Sequence, residues 1–112
     1  MPVSTELVKG NASLLILSCL AKEPMHGYRI VKELDRMSEG YFNLREGTLY
    51  PHLHELEKGE LIEGSWEKVT GNRERRVYRI TSRGKAQLAS MREEWASFQI
   101  SLNRVVGQTA GG

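Results

Sequence analysis

Between Glu46 and Arg83 the apolar pattern changes from a helical period to a strand period, and this switch limits the possible folds more than any other feature of the chain. Leu49, Leu53 and Leu56 fall at i, i+4 and i+7, the inward stripe of a helix, while Gly47, Thr48, Pro51, His54 and Glu55 lie outward and Tyr50 on the flank. Gly59 ends that helix. Leu61 to Lys68 and Arg75 to Thr81 then alternate as two strands around Thr70-Gly71-Asn72, with Trp66, Tyr78 and Ile80 as the expected inward anchors. The turn and returning strand carry Arg73, Arg75, Arg76 and Arg79.

Two further helices are expected upstream. The first starts near Ser4 or Thr5, which suit a cap, and runs to about Ala21 with a soft spot at Gly10-Asn11; Leu14, Leu15, Ile16, Leu17 and Leu20 make it apolar on several sides. Pro24 and Gly27 punctuate the start of the second, in which Ile30, Leu34 and Met37 form one inward stripe before a turn at Ser38-Glu39-Gly40. Tyr28 and Lys32 fall opposite that stripe, where a phenol and an ammonium suit a phosphate. In the third helix Pro51 is harmless if Thr48 is the cap, because the first turn has no N–H partner to lose; an earlier start implies a mild kink.

The order helix, loop, helix, basic hairpin is that of a winged helix on duplex DNA. The net charge of +2 conceals a strong asymmetry, since Lys68 to Lys85 holds seven cations against Glu74 alone, a local +6 that leaves −4 elsewhere. Such a patch is the expected footprint of phosphate contact, with a solvated charge run as the bland alternative. Glu55, Glu57 and Glu60 make the other end of the third helix repellent to phosphate, so its N-terminal turn, the positive end of its dipole, is expected to enter the groove.

The last helix, capped by Thr81 or Ser82, places Leu88, Met91, Trp95, Phe98, Leu102 and Val105 at spacings of 3, 4, 3, 4 and 3, a heptad seam. The expected cover is the same helix of a second copy, aided by the first helix; packing within one chain is the alternative. Fold class is therefore mainly α with a small β-hairpin: a winged helix-turn-helix over residues 1–81 with its wing at about 61–81, a dimerisation helix over 82–106, and a disordered tail over 107–112.

With 39% hydrophobic and 27% charged residues, the chain has an ordinary globular composition. The longest apolar stretch, Ala12 to Ala21, falls short of the roughly 20 residues a membrane span needs. No secretory signal is evident at the N-terminus, so a cytoplasmic protein is expected, in which Cys19 is a buried inert thiol or, less simply, a redox switch. His52 and His54 lie on different helix faces, and neither a metal site, a cofactor loop nor a paired-carboxylate active site is apparent, so no enzyme is expected. Glu57 is expected to pair with nearby cations. The competing reading is a winged helix used as a protein-interaction module, its arginines meeting an acidic partner.

Four patterns occur in order: Leu14-Leu15-Ile16-Leu17; His26-Gly27-Tyr28; Gly47-Thr48-Leu49-Tyr50-Pro51 with Leu53, Leu56 and Glu57; and Val77-Tyr78-Arg79-Ile80-Thr81 with Gly84. From Leu7 to about Val106 the chain resembles the PadR family of bacterial winged-helix regulators, and its single C-terminal helix resembles the small subgroup. The resemblance implies a homodimer that represses a nearby operon until a small molecule releases it, and the two-fold symmetry of such a dimer makes an inverted-repeat operator the expected target. It implies DNA contact by Tyr28, Thr48, Tyr50 and Pro51, and by the wing at Arg73, Arg75 and Arg76. Lys32 and His54 join that set from the helical wheel alone, and Tyr50 has a packing role as its alternative. Drug-sensing members of the subgroup line a flat pocket with a tryptophan of the last helix. Trp95, with Met91 and Phe98 beside it, is then the candidate site for a planar aromatic or cationic effector, or else plain dimer core. For Gly27 and Gly84 close chain approach is the expected role.

Overall fold

The computed structural model describes residues 3–107, except for the side chains of Val69 and Thr70. Its elements are α1 (Thr5–Leu20), β1 (Met25–His26), α2 (Gly27–Met37), α3 (Glu46–Lys58), β2 (Ile62–Thr70), β3 (Arg73–Ile80) and α4 (Ser82–Val106). Ser4 Oγ caps α1 by accepting from the Leu7 amide at 3.3 Å. The helix runs unbroken through Gly10-Asn11, where Asn11 Nδ2 donates to the Leu7 carbonyl at 2.8 Å.

One core joins α1 to the rest through Ile16, Leu17 and Cys19, which meet Ile30 of α2, Leu49 and Leu53 of α3, Ile62, Tyr78, and Leu88 of α4. Each fully buried aliphatic side chain contributes about 1.5–3 kcal/mol, so these few residues set the positions of every element around them. Burial raises the Cys19 thiol to about 11, in keeping with an inert core residue. The expected stripe of α2 holds at Ile30 and Leu34 but fails at Met37, which is 43% exposed. Met37 is the last helical residue, at the edge of the core, where its Sδ accepts from Lys22 Nζ at 3.4 Å; beyond it Ser38 Oγ donates back to the Leu34 carbonyl at 2.7 Å and accepts from the Phe42 amide at 2.8 Å.

The helix α3 begins at Glu46 with Arg45 as its cap, so Thr48 is not the cap and Pro51 is the sixth helical residue. Its missing N–H leaves the Gly47 carbonyl without a helical donor. Gly47 is exposed, so solvent meets that carbonyl and the helix continues to Lys58.

The hairpin β2–β3 matches the expected wing, with Gly71 at φ +60° in its turn and a register slip between Lys68 and Thr70. A third strand was not expected. Met25 and His26 pair with Tyr78 and Val77, giving the antiparallel order β1-β3-β2. Trp66 corrects a second expectation: it is 65% exposed, not an inward anchor. The pleat puts Ile62, Gly64 and Trp66 on one face, opposite Ile80, Tyr78 and Arg76. Trp66 nevertheless lies four residues, about 13 Å, beyond buried Ile62, where the wing overhangs the core.

The wing root is locked to both flanking helices. Thr81 Oγ1 donates to the Glu60 and Leu61 carbonyls at 2.8 and 3.0 Å and accepts from the Gly84 amide at 3.0 Å, capping α4. A Cβ on Gly84 would stand 2.1 Å from the Leu61 carbonyl oxygen, so the close approach read from the sequence is required here. Within α4, Leu88 is buried in the chain's own core and Met91 is half-buried against it. This corrects the expected seam at its first residue, because Leu88 is already enclosed. Trp95, Phe98, Leu102 and Val105 are exposed along the part of α4 that projects from the body, a molecule of 57 × 31 × 21 Å. Gly107, at φ +71°, caps the helix, and the rest of the expected tail, 108–112, lies outside the described residues. Among the described residues no helix is long and apolar enough to cross a membrane.

Candidate nucleic-acid interface

Strand β1 determines where α2 begins. Its pairing holds His26 beside Val77, so α2 starts at the flank of β3 and Tyr28 comes within reach of Arg75, two residues along β3. His26 Nδ1 accepts from the Arg29 amide at 3.1 Å and thereby caps α2. That acceptor requires a neutral ring at this nitrogen. Burial, then the positive Arg75 and Arg29, hold the His26 pKa below the ordinary histidine value and keep it so.

Tyr28 is exposed, with the Lys32 ammonium 5.3 Å and the Arg75 guanidinium 5.9 Å from its ring centre. Its ring stacks on that of His26 at 6.4 Å. Two cations from two elements thus converge on one phenol, a suitable setting for a phosphate oxygen. Neither is committed elsewhere: among the described residues Lys32 and Arg75 form no ion pair, whereas Arg29 is bound to Glu23 at 2.8 Å.

Beside this cluster α3 exposes Thr48, Pro51 and His54 on one face, and packs Leu49, Leu53 and Leu56 inward. Arg45 makes no side-chain capping bond, so the first-turn amides of Glu46 and Gly47 stay uncapped at an exposed helix end. Tyr50 sits differently from its neighbours. It is turned toward the start of α2, where a Cβ on Gly27 would meet its hydroxyl at 2.7 Å. The packing role holds, with one side of the ring against Gly27, and 41% of the residue remains exposed.

The basic run divides on inspection. Arg76 projects to the inner face of the wing, where it pairs with Glu57 and lies 5.8 Å from the Trp66 ring centre. Arg79 pairs with Glu67 at 2.7 Å and donates to Ser65 Oγ at 3.1 Å, and Arg83 lies 3.6 Å from Glu60. Arg73 at the wing tip, Lys68, Arg75 and Lys85 carry no carboxylate partner among the described residues. The local positive field is real but about half of it is internally balanced. The expected pairing of Glu57 holds, and it removes Arg76 from the outward group. Sequence reasoning missed His26 as a cap and Trp66 as a surface residue. A histidine three residues before an amide and a tryptophan four residues past the strand's core anchor were the available signals.

On the second half of α4, Trp95 lines a groove of about 460 Å³ against α1, with Leu7, Leu14, Leu15, Phe42 and Arg92 among its walls. Met91 and Phe98 do not line it. Among the described residues no group of three or more His, Cys, Asp or Glu is placed to hold a metal ion.

Three helices, a short third strand and a basic two-stranded wing beside an exposed helix face define a winged-helix DNA-binding regulator. Residues 16–90 match the transcriptional regulator PadR-like family model, and the chain belongs to that family. It is 40% identical over 87 residues to Transcriptional regulator Rv3488 of Mycobacterium tuberculosis, covering 78% of each chain. An uncharacterized protein of Lysinibacillus sphaericus is 35% identical over 94 residues, 84% of this chain and 86% of that one. Among solved structures, a transcriptional regulator of Clostridium thermocellum superimposes with a TM-score of 0.83 at 27% identity, over 91% of this chain and 96% of the other. A PadR-like transcriptional regulator of Bacillus cereus does so at 0.79 and 28% identity, over 94% and 99%.

Proposed function

We propose that this chain is a cytoplasmic repressor that binds an inverted-repeat operator as a homodimer and is released by a small molecule. The observation that carries the reading is the convergence of Tyr28, Lys32 and Arg75 beside the exposed face of α3. In this reading Tyr28, Lys32 and Arg75 hold a backbone phosphate, Arg73 contacts the next one from the wing tip, and Thr48, Pro51, His54 and the exposed edge of Tyr50 meet base edges in the major groove. Arg76 acts from behind, through Glu57, by fixing the wing against α3.

Dimerisation is supported by the exposed run Trp95, Phe98, Leu102 and Val105, the last 85% exposed. Four large apolar residues in a row on a projecting helix are poorly stable in water, and a second α4 together with α1 is the natural cover. For the effector, the groove at Trp95 supports an aromatic guest. Among the described residues its one charged wall is Arg92, which favours a neutral or anionic ring over a cation. The reading is tested by titrating duplex DNA at several salt concentrations. Binding that falls steeply with salt and prefers one sequence over bulk DNA supports it; weak, sequence-blind retention favours a protein-interaction module instead.

A further inference from the structure

Trp66 contributes little to the core, yet it borders a cleft of about 480 Å³ between the wing and the N-terminal half of α3. Tyr50 and Tyr78 line the same cleft, and Tyr28 and Arg75 stand at its side. Arg76 already covers the indole, and Lys32 and Arg75 already cover the Tyr28 ring, so a cationic guest would meet cations on both aromatic surfaces. An anionic one would not. Glu46 and Glu74 also border the cleft and repel an anion, so a phosphate there depends on the unpaired cations Lys32 and Arg75, and the Trp66 indole is left for uncharged contact.

A helix in the major groove and a ribbon in the neighbouring minor groove are separated by a single sugar–phosphate strand, and that strand has to cross the space between the two elements. Here that space is the cleft. We propose that it receives one backbone strand of the duplex and that Trp66 is a DNA-contacting residue, its indole lying on a deoxyribose while the adjoining phosphate falls to Lys32 and Arg75. The proposal rests on the DNA-binding reading above and adds to it a contact that carries no charge and reads no base.

Because the contact is to the backbone, a random-sequence duplex of about three helical turns, roughly 30 bp, serves as the probe at low salt. Trp66 is one of two tryptophans, and its emission is the difference between the wild-type protein and Trp66→Phe. The duplex is expected to quench or shift that emission. Trp66→Ala is expected to bind roughly ten-fold more weakly, the scale of an aromatic ring packed on a nucleic acid, with the salt slope unchanged because no phosphate contact is lost. An unchanged melting temperature shows that the variant is folded. If Trp66 merely steadied Arg76, Trp66→Ala would lose affinity while Trp66 emission in the wild-type protein ignored the duplex, and the proposal would be wrong. Wild-type affinity in Trp66→Ala would also end it. A wild-type protein that bound no duplex even at low salt would overturn the functional reading itself, an outcome distinct from a protein that binds DNA with its indole unperturbed.

Discussion

Arg76 and Glu57, 19 residues apart in sequence, form an ion pair that fastens the inner face of the wing to the C-terminal half of α3. The arginine reaches it by passing close over Gly64, where a Cβ would stand 2.8 Å from Arg76 Nε. With side chains only 33% and 28% exposed, the pair is shielded enough to matter. Arg76→Met is expected to lower stability by about 1–2 kcal/mol in chemical denaturation and to weaken DNA binding without reducing the salt slope by a full charge. A slope reduced by about one would return Arg76 to the phosphate-contacting group.

Arg75 and Thr48 divide the opposite way. Arg75, unpaired and turned toward Tyr28, is expected to contribute to every duplex, so Arg75→Ala should weaken binding uniformly and reduce the salt slope by about one. Thr48 is exposed on the outward face of α3. Thr48→Ala should change the preference among sequences by about 1 kcal/mol or more per altered base pair and leave the slope alone. Exchange of these two effects in a binding series would reverse the assigned roles.

The His26 cap gives stability a pH dependence of definite sign. Its pKa in the folded protein lies below the ordinary value, so the unfolded chain takes up the proton first as pH falls. The contribution of His26 is therefore complete above about pH 6.5 and is lost as pH falls through the folded-state pKa. His26→Asn keeps a capping acceptor and is expected to flatten stability between pH 7 and pH 5, whereas His26→Ala should lose about 1 kcal/mol at pH 7. A wild-type protein whose melting temperature rose between pH 7 and pH 5 would contradict the neutral cap.

Two backbone positions near the wing root carry opposite expectations. Glu60 holds φ +62°, a left-handed conformation that a residue with a Cβ adopts at a cost, so Glu60→Gly is expected to stabilise the fold by up to about 1 kcal/mol. Gly84→Ala should destabilise it by about 3 kcal/mol or more, since the new methyl would meet the Leu61 carbonyl. Thermal melts of the two variants that moved in the same direction would refute this view of the junction.

The helices and hairpin were legible because Leu49, Leu53 and Leu56, and the alternation through Tyr78 and Ile80, each sample their period several times. Strand β1 was not, because two residues carry no period and Met25-His26 becomes a strand only by pairing with Val77 and Tyr78. That hidden strand is what brings Tyr28 to Arg75, so the sequence could nominate both residues but not their convergence. Trp66 shows the limit of the pleat, which gives the face of a residue but not how far the core extends beneath it. Arg76 shows the limit of counting charges, since its partner on α3 decides which way it points. Leu88 opens a regular heptad, yet the spacing alone does not say where the chain's own core stops covering it.

In the proposed assembly two copies join along α4, each offering one α3 tip and one wing to its own half of a duplex. Light scattering at micromolar concentration should accordingly give the mass of a dimer. The most direct test is footprinting of the purified protein on genomic DNA fragments. The expected result is two protected half-sites in inverted repeat, their centres about one or two helical turns, roughly 10 to 20 bp, apart. Protection of a single unrepeated site, or none that depends on sequence, would contradict it.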